Sequence, residues 1–129
     1  MGTFHLGSEL GLLGEDLGCR YLEKKGYTII EKNYCNALGR RLGEIDIVAK
    51  KGGELIFIEV KSRIGREGSL LLPEASITRD KLRKLDRIAQ CYVRERQCFN
   101  QSYRFDALSV LYDPALKKAF IRHLEHIFI

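Results

Sequence analysis

No apolar run in the sequence approaches the roughly 20 residues that cross a bilayer, which excludes a membrane-spanning helix. The first residues, Met1 to Leu6, lack a basic region followed by an apolar stretch. No signal peptide is therefore expected, and the reading is a cytoplasmic protein. Proline occurs only twice, and no stretch is rich in Pro, Gly or Ser, so no linker divides the chain. There is no internal repeat. The four cysteines, Cys19, Cys35, Cys91 and Cys98, form no CxxC pair, and no histidine lies at zinc-ligand spacing from them. They read as free thiols, some of them buried as small apolar residues. Zinc-finger and recognition-helix signatures are also missing, so base-specific reading of a nucleic acid is not expected.

What is present suits one folded domain spanning residues 1–129. The composition is 45% hydrophobic and 30% charged, enough for a core. Net charge is +5, from 22 Lys+Arg against 17 Asp+Glu, which is compatible with an acidic partner and does not identify one.

The first helix is expected from about Gly7 to Lys25, with Leu10, Leu13, Leu17, Tyr21 and Leu22 as its apolar stripe and Gly26 as its C-cap. Glycines at 7, 11, 14 and 18 are unusual in a helix and either permit close packing or admit a neighbouring backbone. Tyr27 to Ile30 reads as a short strand. Glu44 to Ala49 and Leu55 to Lys61 read as two more, joined by Lys51-Gly52-Gly53-Glu54, a strong hairpin signal. A second helix is expected over Arg79 to Arg96 behind an N-cap at Thr78, and a strand over Arg104 to Leu111 stopped by Asp113-Pro114. From Lys118 to Ile129 the chain is apolar, and both strand and helix remain open there. This order implies an α/β domain with helices packed on a central sheet.

The chemistry concentrates in the hairpin. With Gly52 and Gly53 as the turn, counting outwards sets Asp46 opposite Glu59 and Glu44 opposite Lys61. Opposed side chains in such a pair stand about 4.5–5.5 Å apart at Cβ. Two carboxylates that close repel one another. A divalent cation between them would offset the repulsion, as would the ammonium of Lys61 on the same face. Hard oxygen ligands favour Mg²⁺ or Mn²⁺ over zinc.

Asp, a hairpin and then Glu-x-Lys resembles the signature of the PD-(D/E)xK nuclease superfamily, which includes restriction endonucleases and Holliday-junction resolvases. Residue 45 is Ile where the superfamily's name has Pro. Gly11-x-x-Gly14-Glu15, Gly26-Tyr27, Asn33, Gly43-Glu44-Ile45-Asp46, Glu59-Val60-Lys61, Lys81 and Arg104-Phe105-Asp106 together resemble the bacterial YraN-like branch, over nearly the whole chain. The resemblance implies a restriction endonuclease-like mixed sheet flanked by helices. It implies that Asp46 and Glu59 ligate a Mg²⁺ or Mn²⁺ ion, that Val60 lends a backbone carbonyl, and that Lys61 orients or deprotonates the attacking water. Glu15 would complete the metal site or hold a second ion. The implied activity is metal-dependent hydrolysis of DNA, by analogy with resolvases on branched or flapped forms; such enzymes often act as dimers, and the apolar tail Ile127-Phe128-Ile129 could supply a homodimer interface.

Plainer readings stand beside these. Asp46, Glu59 and Lys61 also fit a solvated hairpin face with a Glu–Lys61 salt bridge, and Glu15 fits the wet side of an amphipathic helix. Glu44 is read as structural. The second helix carries Arg79, Lys81, Arg83, Lys84, Arg87, Arg94 and Arg96, either a solvated face or a phosphate-backbone track with Lys81 nearest the acids. The glycine-containing loop after Lys61, with Arg63 and Arg66, suits a grip on nucleic acid or an idle surface. Arg104 and Asp106 are expected to pair with each other, and His5, His123 and His126 to lie at the surface. A binding module that keeps the fold without turnover is the rival from another class. Hydrolysis of a smaller phosphate compound is a third reading.

Overall fold

A computed structural model describes residues 6–36, 42–66 and 78–127, with side chains from residue 10. His5, Phe128, Ile129 and the loop residues Glu67, Gly68 and Ser69 lie outside them. The described elements run α1 (Leu6–Lys24), β1 (Thr28–Cys35), β2 (Glu44–Lys51), β3 (Glu54–Ile64), α2 (Arg79–Glu95), β4 (Tyr103–Asp113) and β5 (Lys118–Leu124). The five strands form one sheet in the order β1-β2-β3-β4-β5. β3 and β4 are parallel and every other neighbour is antiparallel. A mixed sheet of this kind needs a crossover between its parallel strands, and α2 lies in it. The arrangement, a five-stranded mixed sheet flanked by two helices, is consistent with a restriction endonuclease-like fold.

Each face of the sheet has its own apolar layer. Cys19, Leu22 and Tyr27 from the α1 side pack on Ile47, Ala49, Ile56, Ile58 and Leu108. On the opposite face Leu82, Leu85, Ile88, Ala89 and Tyr92 of α2 pack on Tyr34, Ile45, Val48, Leu55, Phe57, Phe105 and Ala107. Central strands covered on both sides are apolar throughout, which is why Leu55 to Ile58 are all buried. Thr78 caps α2 as expected, its Oγ1 accepting from the Lys81 N–H at 3.2 Å. α1 closes at Gly26, where the Gly26 N–H donates to the Glu23 carbonyl at 3.0 Å and the Tyr27 N–H to that of Leu22 at 2.9 Å.

Several expectations require correction. Leu13 was placed on the buried stripe of α1, yet Leu12 and Leu13 are both exposed. The residues that meet the sheet are Gly14 and Gly18: a Cβ at Gly14 would overlap the Ser62 side chain, and one at Gly18 would stand 3.1 Å from Leu108. Close approach through these glycines turns the leucines outward. The first strand continues to Cys35, five residues beyond the expected end, because β2 supplies partners along its length. Arg63, expected in a loop, is on β3, which runs to Ile64 beside β4. The tail, left open between strand and helix, forms β5 and then folds back, with the Ile127 N–H donating to the Phe105 carbonyl at 2.8 Å. Ile127 is part of the α2-side core of its own chain, and Phe128 and Ile129, the rest of the apolar tail, lie outside the described residues.

His123 is also not at the surface. Its side chain is 7% exposed, and its Nε2 lies 2.8 Å from Asp106, which is fully buried. Arg104 pairs with Asp106 at 3.0 Å, as the sequence implied, and also reaches Glu54 at 3.3 Å and the Tyr27 hydroxyl at 2.9 Å. The His126 N–H gives Asp106 a further bond at 3.1 Å, while the His126 side chain is exposed as expected. Burial pushes the Asp106 carboxyl up, but the bonds from His123, Arg104 and the His126 N–H outweigh it and hold the group below its usual value.

Candidate functional site

The hairpin has the register its turn implies. Gly52 and Gly53 both take positive φ, 59° and 82°, as two-residue hairpin turns require. Lys51 pairs with Glu54, and the ladder continues outwards to Ile47↔Ile58. It stops there, one step short of the expected Asp46↔Glu59 pair. Beyond that point the Val60 N–H donates to the side chain of Asp46, with Oδ2 at 2.8 Å. A carboxylate thus takes the place of a ladder acceptor where the two strands part.

A kink in the neighbouring strand accompanies the parting. Lys32 pairs with Ile47 and Tyr34 with Ile45, with Asn33 between them at φ 55°. Ile47 packs on the α1 side and Ile45 on the α2 side, so side-chain alternation in β2 breaks at Asp46. Asn33 then donates from Nδ2 to Glu15 on α1 at 3.1 Å. Glu15 is drawn to the same corner by α1, whose Gly14 sits hard against Ser62 of β3.

Asp46 registers this crowding. Burial pushes its carboxyl up to about 6; the Val60 N–H opposes the rise, and the charges of Glu15, Glu59 and Glu44 add to it. Glu44 is exposed on β2 with the Cys35 Sγ at 3.8 Å, so the cross-strand pairing with Lys61 is replaced by a local contact.

Glu59 is 11% exposed, and its two oxygens differ. Oε1 meets Lys81 Nζ at 2.6 Å and Lys61 Nζ at 3.8 Å. Oε2 is buried without a hydrogen-bond partner among the described residues. The sequence named Lys61 as the local counter-charge, whereas the nearer ammonium comes from Lys81, in the first turn of α2. Contact with Lys81 is the main cause that pushes the Lys61 ammonium below its ordinary range, and burial adds to it. Burial opposes the charge on Lys81, but its bonds to Glu59 and Lys61 raise it overall, so Lys81 is the better-held proton of the two.

The acids Glu15, Asp46 and Glu59 and the lysines Lys61 and Lys81 thus come together. Arg83 and Lys84 lie on the exposed side of α2, Arg83 with Asp80 at 3.9 Å, and Arg66 is exposed just past the end of β3. None of the four cysteines forms a disulfide among the described residues. Among the described residues no group of three or more His, Cys, Asp or Glu side chains is arranged to hold a metal ion. None of the described helices is long and apolar enough to cross a membrane. The partners that sequence reasoning passed over are Asn33 as the holder of Glu15 and Lys81 as the first partner of Glu59. Asn33 stands among the motif residues, but its surroundings Glu31-Lys32 do not read as strand. The distance in sequence between Lys81 and Glu59 closes only through tertiary packing.

A mixed-sheet α/β domain with an acid-and-lysine corner where its central hairpin parts is the class of protein that these elements define. The chain belongs to the uncharacterised protein family UPF0102, whose model matches residues 14–110. This is the YraN-like family its motifs resemble. A UPF0102 protein of Pelotomaculum thermopropionicum is 39% identical over 119 residues, covering 92% of this chain and 94% of that one. Another, from Brachyspira hyodysenteriae, is 44% identical over 121 residues, covering 93% and 95%. A third, from Alkaliphilus metalliredigens, is 38% identical over 118 residues, covering 92% and 98%.

Proposed function

We propose that this protein is a divalent-metal-dependent nuclease that hydrolyses phosphodiester bonds in DNA, with branched or flapped forms the favoured substrates. The observation that carries the reading is the parted hairpin: Asp46 replaces a ladder acceptor, Glu59 lies beside it with a buried, unpartnered oxygen, and two lysines stand against that same side chain.

The donors fit a hard cation. Oxygen ligands suit Mg²⁺ or Mn²⁺, and the unpartnered Oε2 of Glu59 together with the crowded Asp46 carboxyl would both gain from positive charge. Asp46, Glu59 and the Val60 carbonyl would hold the ion, with Glu15 at its edge. Bound there, it would supply Lewis acidity and lower the pKa of water. Lys61 accepts a proton at Nζ from the attacking water, a role that its lowered pKa supports. Lys81 keeps its proton and holds Glu59 in place. The exposed cations of α2, among them Arg83 and Lys84, meet backbone phosphates without reading sequence.

A binding module without turnover has one observation in its favour, the absence among the described residues of a ready-made group of three metal-holding side chains. The two readings separate in one experiment. Purified protein is incubated with Mg²⁺, Mn²⁺ or EDTA against labelled single-stranded, duplex, flapped and four-way DNA, beside Asp46→Asn and Lys61→Ala. Metal-dependent cutting lost in both variants is the expected result. Cutting that both variants retain comes from a contaminant, and salt-sensitive binding without cutting supports the module.

A further inference from the structure

We infer that Arg63 is a positioning residue that holds a backbone phosphate of the nucleic acid in the fork formed by its Nε and Nη2. The inference rests on the nucleic-acid reading for its ligand and on a separate observation for its site.

β3 pairs with β4 without a break from Leu55↔Tyr103 to Ile64↔Tyr112, so its side chains alternate regularly. Val60 packs against the α1-side core and Ser62 stands against Gly14 of α1. Glu59, Lys61 and Arg63 therefore share the other face, at steps of roughly 6.6 Å along the strand. Arg63 is one step beyond Lys61 and two beyond Glu59.

Its Nε and Nη2 are buried and have no hydrogen-bond partner among the described residues. A guanidinium cannot escape such a position by losing its proton, so the described residues leave two charged donors without an acceptor. They are the two nitrogens on one edge of the group, the edge that takes two oxygens of a single carboxylate or phosphate. Arg104 shows what the chain does with a structural arginine: Asp106, Glu54 and the Tyr27 hydroxyl all accept from it. Among the described residues no such set is built for Arg63. The neighbouring cation Lys61, half exposed on the same face, favours a ligand with more negative charge than one carboxylate. A phosphate in the fork fixes where the strand lies across Asp46 and Glu59.

The test is fluorescence anisotropy with labelled duplex and single-stranded DNA in EDTA over a salt series, for the full chain and for Arg63→Gln and Arg63→Lys, with thermal unfolding of each. The expected result is a loss of about tenfold or more in affinity for Arg63→Gln, with a salt slope shallower by about 0.7–0.9 for the one lost phosphate contact. Arg63→Lys recovers the slope but not the affinity, because an ammonium has no fork. The melting temperature of Arg63→Gln is unchanged or higher, since unpartnered buried charge has been removed. Wild-type affinity in Arg63→Gln overturns the inference, as does a lysine variant equal to wild type. A lower melting temperature with unchanged affinity assigns Arg63 to the core and also overturns it. The nuclease reading fails separately. Metal-dependent cutting with unchanged affinity in Arg63→Gln removes the anchor and leaves the nuclease, while the expected binding pattern in a protein that cuts nothing leaves the anchor on a binding module. Wild-type protein that binds neither DNA overturns the anchor and leaves the nuclease reading to the cutting assay.

Discussion

Burial and the neighbouring carboxylates raise the Asp46 carboxyl from its usual 3.8 to about 6, and the sign of its effect on stability follows. Between those two values the folded state holds the proton more tightly than the unfolded chain does. Stability in EDTA therefore falls as pH rises from about 4 to 6 and stays lower above that window. Asp46→Asn keeps an oxygen for the Val60 N–H and removes the charge. The variant is expected to be more stable than wild type by about 1–3 kcal/mol at pH 8, with the difference vanishing near pH 4, while the proposed metal-dependent cutting is lost. Thermal unfolding at the two pH values checks it. Asp106 has the opposite sign, because its folded value is lowered. Its contribution is present above the usual carboxylate value and is lost as pH falls through the folded one. Asp106→Asn leaves Arg104 and His123 without their anion and should cost about 3–5 kcal/mol in denaturant unfolding.

Elements carry the site through contacts that no single residue explains. α1 approaches β3 closely enough that the Ser62 side chain fills the space a Cβ on Gly14 would take, and this brings Glu15 to the parted hairpin. Gly14→Ala is expected to lose about 1–3 kcal/mol by overpacking. Adding Ser62→Gly should restore most of the loss, and a double-mutant cycle on unfolding free energies reads the coupling. Additive losses would show that the two elements do not meet there. α2 acts through its first turn. The Thr78 cap fixes where the helix begins, and the third residue after it, Lys81, meets Glu59.

At the scale of the whole molecule, net charge and its placement govern encounter with a polyanion. α2 carries six basic residues against three acidic ones, and Lys61, Arg63 and Arg66 stand at or just past the end of β3, while Glu15, Asp46 and Glu59 lie in the corner. Binding to DNA should weaken steeply with salt, and Arg83→Gln and Lys84→Gln should each make the slope shallower by less than one without changing the preference among sequences. Binding independent of salt would remove the phosphate track along α2.

Much of this was legible beforehand. The period of the apolar residues placed both helices, the two glycines after Lys51 set the hairpin register, and Asp46, Glu59 and Lys61 were singled out by that register together with the motif. These are local matters, decided by backbone propensity and by counting from a turn. The five-stranded order, the outward leucines of α1, the buried His123 and the folded-back Ile127 were not legible, because each depends on which distant surface covers a residue. The same division runs through the site. Sequence by itself determined which strands of the hairpin carry Asp46 and Glu59 and how far each stands from the turn. Only the tertiary structure decided that the ladder ends before Asp46, that Lys81 reaches Glu59 first and that Arg63 keeps two buried donors open. Hydrogen-bond register follows from the turn, but the end of a ladder and the partner of a buried charge are set by packing between elements far apart in the chain.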